Sequence, residues 1–186
     1  MNAPIDISDV VLCTPRLILR PWREGDLEDF YAYARVDGVG QLAGWLPHES
    51  IGESRKVLDM FIRERKTFCL EHEGRAVGSL GIETYREDRF PELDALRGRE
   101  IGYVLAKDYW GRGLMTEAVS AVLDYLFEKV ELDFVTVAHY KGNERSKRVI
   151  EKCGFRFVRC TRHETQFGTV EDAREYVRFN PGRGKG

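Results

Sequence analysis

The chain has 186 residues, 42% of them hydrophobic, and this length fits one globular domain with a core of its own. Its 29 basic and 31 acidic residues leave a net charge of −2, which argues against a constitutive nucleic-acid binder, because phosphate backbones are bound through a basic excess. The sequence predicts neither a secretory signal nor a membrane span of about 20 apolar residues. Its four scattered cysteines predict no metal cluster. We therefore expect a cytoplasmic protein that binds no metal, nucleic acid or membrane.

The first half of the chain predicts a strand, two helices and a hairpin. Alternation of polar and apolar residues marks the strands, and apolar residues at helical spacing mark the helices. Glycine and proline punctuate the segments between them. In chain order the predicted elements are a strand at 16–22, a helix at 26–34, a glycine-rich loop at 37–47, a helix from the capping box Ser50/Glu53 to about Lys66, and a hairpin at 67–85 that turns at Gly74.

The second half alternates strands with helices, which is typical of an α/β domain. Its predicted elements are an exposed charged loop at 86–99, a strand at 100–106, a glycine loop at 108–113, a helix at 114–129, a strand at 134–140, a helix at 143–153 ended by Gly154, and strands at 155–161 and 174–179. This order predicts a single α/β domain at 14–180 with a mixed sheet of six or seven strands. It follows an N-terminal extension at 1–13 and precedes a disordered tail at 181–186.

The glycine loop is the first feature that suggests a ligand. The segment DYWGRGLMTEAV runs from Asp108 to Val119 and places two glycines directly before a predicted helix. A helix N-terminus presents unpaired amides and a partial positive charge, and glycines let a phosphate approach the backbone closely. Arg112 could add a charge-assisted contact. The spacing matches neither the dinucleotide fingerprint nor the nucleotide-triphosphate loop, so the pattern indicates a different phosphorylated ligand.

Three segments together resemble the GNAT superfamily of N-acetyltransferases. They are EIGYVLAKDYWGRGLMTEAV, NERSKRVIEKCGF and the opening TPRLILRPWREGD, the last of which resembles the branch of ribosomal-protein alanine N-acetyltransferases. The resemblance extends over about residues 14–180. It implies a mixed, mostly antiparallel sheet of six or seven strands flanked by about four helices, and it implies acetyl-CoA as cosubstrate without a metal.

The resemblance also implies which residues bind the cosubstrate. The family's pyrophosphate loop falls on residues 110–115, where Trp110 and Met115 depart from the usual pattern. Backbone amides from Gly111 to Thr116 would hold the pyrophosphate, and the strand before them would pair with the pantetheine arm. Asn143 matches a pantetheine contact, although asparagine is also a favoured helix N-cap. The implied cosubstrate-binding residues are Tyr103, Val104, Leu105, Gly111, Arg112, Gly113, Leu114, Met115, Thr116, Asn143 and Ser146.

Acetylation of an amine needs a group that takes its proton and a group that stabilises the departing thiolate. Glu100, at the start of the predicted cofactor strand, and His139, on the next strand, are candidates for the base. Ser146 and Tyr140 are candidates for the acid. Each has a structural alternative, since histidines often pack in cores and a serine in a first helical turn often bonds its own backbone. For Glu117 the helix dipole favours the structural role.

The acceptor is the part that the sequence predicts least. By analogy with the branch, we expect an N-acetyltransferase that modifies a protein or peptide N-terminus. A small amine, such as an aminoglycoside, a polyamine or an amino acid, is the alternative acceptor, and a non-catalytic acyl-CoA sensor is the alternative class. The oligomeric state, a homodimer included, is left open.

Overall fold

The computed structural model describes residues 1–183, which form one eight-stranded sheet and four α-helices. The strands are β1 Leu12–Cys13, β2 Ile18–Pro21, β3 Thr67–His72, β4 Arg75–Glu83, β5 Gly98–Leu105, β6 Phe134–Tyr140, β7 Arg156–Glu164 and β8 Val170–Phe179. The helices are α1 Leu27–Ala34, α2 Ile51–Glu64, α3 Leu114–Glu128 and α4 Glu144–Lys152. The spatial order of the strands is β1-β2-β3-β4-β5-β6-β8-β7.

Helix starts follow local capping chemistry. Ser50 caps α2 by accepting a hydrogen bond from the Glu53 amide at 3.3 Å, as the capping box predicts, while the Glu53 carboxylate reaches the Glu49 amide at 2.7 Å. Asn143 caps α4 by accepting from the Ser146 amide at 3.1 Å. Helix α3 begins after Gly113, which makes no side-chain cap, so its first amides remain available to a ligand.

The two helix pairs lie on opposite faces of the sheet. On the α1/α2 face, Trp22, Phe30 and Leu58 pack together with strand residues that include Val104. On the α3/α4 face, a larger cluster joins the apolar stripe of α3 to the alternate strand residues Ile101, Leu105 and Val137. Because successive strand side chains point to opposite faces, Glu100 and Val104 lie on the α1/α2 face, whereas Tyr103 lies on the α3/α4 face.

All the strand pairs are antiparallel except β5 with β6. Their parallel ladder joins residues 98–101 to 134–137 and ends at the pair Ile101 and Val137. Both strands continue beyond this pair, β5 to Leu105 and β6 to Tyr140. The sheet is therefore split along its middle, and the backbone edges beyond the last pair border the split.

The predicted class, an α/β domain with a mixed, mostly antiparallel sheet and four helices, is confirmed, and the sheet has one strand more than predicted. The additional strand, β1, is two residues long and too short to show alternation. Residues 1–13 lie against the domain, since Ala3 and Ile7 are buried and Asn2 bridges to Gly98. Of the predicted tail at 181–186, the residues 184–186 lie outside the described part of the chain. No helix in the described part is long and apolar enough to cross a membrane.

Candidate active site

A cavity of about 400 Å³ occupies the split between β5 and β6 and reaches both faces of the sheet. Its α3/α4 side holds the N-terminus of α3 and the first turn of α4, and its α1/α2 side holds Glu100 and Tyr140. The predicted site residues that line it are Glu100, Tyr103, Val104, Leu105, Gly111, Gly113, Leu114, Met115, Thr116, His139, Tyr140, Asn143 and Ser146. The split thus brings together nearly every residue that the sequence singled out.

The glycine loop opens its backbone toward this cavity. Gly111 and Gly113 have φ angles of 77° and 80°, which favour glycine, and a Cβ at Gly111 would meet no atom within 4 Å. Leu114 and Met115 bury their side chains in the core, so they offer only their amides to a ligand. This exposed run of amides at a helix N-terminus fits the diphosphate of coenzyme A.

Arg112 and Trp110 depart from their expected roles. The guanidinium of Arg112 lies 5.1 Å from the centre of the Tyr109 ring, and Arg112 does not line the cavity. Trp110 donates from its indole nitrogen to the Leu105 carbonyl at 2.8 Å, and Arg145 stacks 3.9 Å above its ring. Trp110 therefore ties the loop to the end of β5, in place of the polar side chain that is usual at this position.

Glu117 braces the same loop from outside. Its carboxylate accepts hydrogen bonds from the Thr14 hydroxyl at 2.5 Å and from the Arg16 side chain at 2.8 Å. Arg16 also donates from Nη1 to the Arg112 carbonyl at 2.8 Å. Burial opposes ionisation of Glu117, but these hydrogen bonds lower its pKa overall. Glu117 thus anchors the first strands to the loop and to α3.

Ser146 forms a hydroxyl pair with Tyr103. The phenol oxygen of Tyr103 lies 2.9 Å from Ser146 Oγ, and both side chains are half-buried on the α3/α4 face. Burial raises the pKa of Tyr103 well above its usual value, so the phenol stays protonated. The carboxamide oxygen of Asn143 is engaged with the Ser146 amide, as its capping role requires.

Glu100 occupies the other side of the split. Burial raises its pKa from 4.5 to about 7, against a smaller opposing effect of nearby positive charge. A carboxyl group with a pKa near 7 exchanges protons readily at neutral pH, which is the property a general base needs.

The other two catalytic candidates differ in their surroundings. Both ring nitrogens of the buried His139 are engaged, Nδ1 with the Tyr140 carbonyl at 2.9 Å and Nε2 with the Tyr176 hydroxyl at 3.1 Å. The Tyr140 side chain lies on the α1/α2 face, where its hydroxyl packs against Gly44. Tyr140 therefore lies across the sheet from Ser146.

His163 was not predicted, yet it lines the cavity on the same face as Glu100. It contacts Arg89, which comes from the predicted exposed loop, and the buried Glu175 of β8. Burial opposes ionisation of Glu175, but its contacts with His163 and Arg89 lower its pKa overall. The spacing of these residues forms no motif, because the pairing of β7 with β8 and the packing of the segment that bears Arg89 against this pair bring them together.

Comparison with known proteins identifies this arrangement. Residues 16–156 match the family model described as an acetyltransferase (GNAT) domain. The chain therefore belongs to the GNAT acetyltransferase family and is an N-acetyltransferase. It is 27% identical over 179 residues to the uncharacterized N-acetyltransferase YoaA of Bacillus subtilis, across 92% of this chain and 97% of that protein.

Solved structures show the same fold at low sequence identity. A GNAT-family acetyltransferase from Bacillus anthracis superposes with a TM-score of 0.79 at 21% identity, covering 92% of this chain and 99% of its own. RimJ of Mycobacterium smegmatis, in complex with CoA-disulfide, superposes with a TM-score of 0.72 at 23% identity, covering 95% of this chain and 88% of its own. RimL, a ribosomal L7/L12 α-N-protein acetyltransferase, superposes with a TM-score of 0.74 at 17% identity, covering 91% of this chain and 94% of its own.

Proposed function

We propose that this protein transfers an acetyl group from acetyl-CoA to the α-amino group of a protein or peptide N-terminus. One observation carries the proposal: a single cavity joins the glycine loop on one face of the sheet to Glu100 on the other. An acyl carrier and an amine can therefore enter from opposite faces and meet where β5 and β6 separate.

The chain holds the carrier mainly through its backbone. The amides from Gly111 to Thr116 bind the diphosphate, and the edge of β5 beyond Ile101 offers hydrogen bonds to an extended pantetheine arm. Basic side chains of α4 also line this end of the cavity, which suits the negative charge of coenzyme A. They are Arg145, Arg148 and Lys152.

Two groups of the chain perform the proton chemistry. Glu100, whose pKa of about 7 leaves it mostly ionised above neutral pH, accepts the proton of the acceptor ammonium and leaves a neutral amine. Acetyl-CoA, when bound, supplies the acetyl group and a thiolate leaving group. Ser146 forms a hydroxyl pair with Tyr103 in which either oxygen can donate. With Tyr103 as the donor, Ser146 directs its own hydroxyl hydrogen to the developing negative charge.

A peptide acceptor is favoured over a small amine by the similarity of the fold to RimL and by the open α1/α2 side of the cavity. There, Leu42 and Ala43 border the cavity, and the Gln166 amide of the β7–β8 loop donates to the Gly44 carbonyl at 2.8 Å. These two segments form a rim around the acceptor end.

The test combines binding with transfer. Calorimetry with CoA and acetyl-CoA should show binding, and acetyl-CoA turnover should be seen with peptides that have a free N-terminus, with mass spectrometry placing the acetyl group on the α-nitrogen. Turnover of aminoglycosides, polyamines or amino acids alone would replace the peptide with a small amine. Binding without transfer to any amine would indicate a sensor, and absence of binding would contradict the proposal as a whole.

A further inference from the structure

His163, on the edge strand β7, lines the acceptor end of the cavity. Strand pairing places it on the same sheet face as Tyr140 and Glu175, since His163 pairs with Glu171 and Tyr140 pairs with Ala173. Its side chain is 24% exposed, whereas the carboxylate-bearing side chain of Glu175 beneath it is 6% exposed. The ring thus stands between a buried carboxylate and the open cavity.

Arg89 determines how this ring is hydrogen-bonded. Its Nη1 lies 2.7 Å from Glu175 Oε1 and 2.6 Å from His163 Nε2, and its Nη2 donates to the Arg162 carbonyl at 3.2 Å. His163 Nε2 is also 3.3 Å from Glu175 Oε1, which makes this contact the longer of its two. The buried negative charge of Glu175 is further compensated by Arg159, whose Nε lies 3.6 Å from Glu175 Oε2.

The protonation of the ring follows from the chemistry of arginine. A guanidinium carries five N–H donors, has no acceptor and does not lose its proton in proteins. At 2.6 Å, an N–H on His163 Nε2 would point at an N–H of Arg89, so this closer contact favours Nε2 as the acceptor, whereas the longer contact with Glu175 Oε1 would favour an N–H on the same atom. A neutral histidine whose Nε2 accepts carries its proton on Nδ1.

We propose that Arg89 fixes His163 in the Nδ1-protonated tautomer, so that His163 donates a hydrogen bond to a carbonyl oxygen of the acceptor. Nδ1 makes no hydrogen bond to any other residue among 1–183, and the ring lines the cavity. Water can bond to such an N–H in the open cavity, and a carbonyl oxygen of the acceptor that displaces this water would replace its hydrogen bond. His163 is thus a positioning residue that selects the acceptor, and this second step rests on the proposed function.

The class of acceptor follows from what an N–H donor rejects. An ammonium group offers only donors and is accommodated by Glu100, so it cannot pair with His163 Nδ1–H. A peptide N-terminus carries a carbonyl oxygen two bonds from the carbon that bears its amine, whereas a simple alkylamine has none. The site therefore favours amines with a neighbouring oxygen acceptor, such as the carbonyl of a peptide N-terminus, over simple alkylamines.

The tautomer can be tested independently of any activity. The chain has four histidines, and a long-range ¹H–¹⁵N correlation spectrum of ¹⁵N-histidine-labelled protein at pH 8 reports the protonated nitrogen of each ring. The His163→Asn variant assigns the signal by removing it. We expect the wild-type ring to carry its proton on Nδ1 and the Arg89→Met variant to shift the population toward Nε2. A wild-type ring protonated on Nε2 would overturn the proposal.

The selection can be tested with Ala-Ala-Ala and isopropylamine as probes. His163→Leu should raise KM for the tripeptide about tenfold and leave kcat, the affinity for CoA and the rate with isopropylamine within about twofold. His163→Asn should keep the KM for the tripeptide close to the wild-type value, because an asparagine N–H can lie near the position of Nδ1.

The outcomes separate the two proposals. A loss of kcat in both variants, with loss of the acidic limb of the pH profile, would make His163 a base and overturn its positioning role. Equal turnover of both probes by the wild type would overturn the carbonyl contact. If the wild type acetylates neither probe nor any other amine while the spectrum shows Nδ1–H, the proposed function fails and the tautomer assignment stands.

Discussion

The phenol of Tyr103 on β5 and the hydroxyl of Ser146 on α4 lie 2.9 Å apart across the cofactor side of the cavity. Burial keeps the Tyr103 phenol protonated, so the phenol can donate to Ser146 Oγ, although either hydroxyl of the pair is able to donate. With the phenol as the donor, the Ser146 hydroxyl hydrogen is free to point into the cavity. The pair thus polarises one donor toward the place where negative charge develops.

Replacement of Ser146 tests this donor. Ser146→Ala should lower kcat about tenfold and change the Kd for acetyl-CoA by less than about twofold, because the lost hydrogen bond acts on developing charge. Tyr103→Phe should lower kcat less, since the serine hydroxyl remains. Ser120→Ala, on α3, is a control that leaves both constants unchanged. A loss explained by lower folding stability alone, measured by urea denaturation, would contradict the catalytic role.

Gly113→Val should weaken CoA binding about tenfold or more. Its φ of 80° is strained for a β-branched residue, and relief of that strain displaces the amides that we propose bind the diphosphate. Gly74→Val is a matched control, because Gly74 has a φ of 78° in the β3–β4 turn and its Cβ would meet no atom within 4 Å. Calorimetry should show weaker binding only for Gly113→Val, and equal affinity in the two variants would contradict the role of the loop.

Local signals predicted most of the fold. The capping residue Ser50, the loop before Leu114 and the period of α3 depend on neighbours within a few residues, and each predicted helix and strand is present. The loop predicted as exposed at 86–99 is only partly so, because Phe90 and Leu93 are buried and its last two residues belong to β5. The bounds differ where tertiary contacts decide them: β5 begins at Gly98, and β7 extends to Glu164 because β8 pairs with it along that length. Strand β1 needs only β2 to form and leaves no pattern in two residues.

The site was predicted unevenly for a similar reason. The glycine loop and Glu100 lie within a single stretch of chain, so their spacing carries information. Arg89, His163 and Glu175 are far apart in sequence and belong together only because the edge hairpin folds over the 86–93 segment. A charged residue such as Arg89 is ordinarily solvated, and nothing local to it indicates a buried partner.

The pH dependence of turnover should report Glu100. Its pKa of about 7 means that the base is ionised above neutrality, so kcat should rise with pH through about 7. Glu100→Gln should lower kcat about 100-fold and remove this limb, while the acceptor's own titration near pH 8 remains in both proteins. Full activity of the variant at neutral pH would exclude Glu100 as the base, and an unchanged Kd for acetyl-CoA would verify that its cavity is intact.

The same group should make stability depend on pH. Because the pKa of Glu100 rises from 4.5 to about 7 on folding, the folded state binds more protons between these values, and stability falls as pH rises through about 7. Glu100→Gln should therefore gain about 2 kcal/mol in free energy of unfolding relative to the wild type between pH 5 and pH 8. Urea denaturation at both pH values measures this gain. Glu28→Gln, at an exposed position, is the control. A gain of the same size in that variant would contradict the assignment of the pH dependence to Glu100.

Arg16 should affect CoA binding although it lies outside the cavity lining. It joins the Glu117 carboxylate to the Arg112 carbonyl, both at 2.8 Å, and so holds the loop at the start of α3. Arg16→Ala should weaken CoA binding about threefold to tenfold, because the loop amides lose their fixed positions before the ligand arrives. Arg75→Ala removes a comparable exposed ion pair with Asp29 and should leave the affinity unchanged. If calorimetry finds equal affinity for both variants, the brace has no part in forming the diphosphate site.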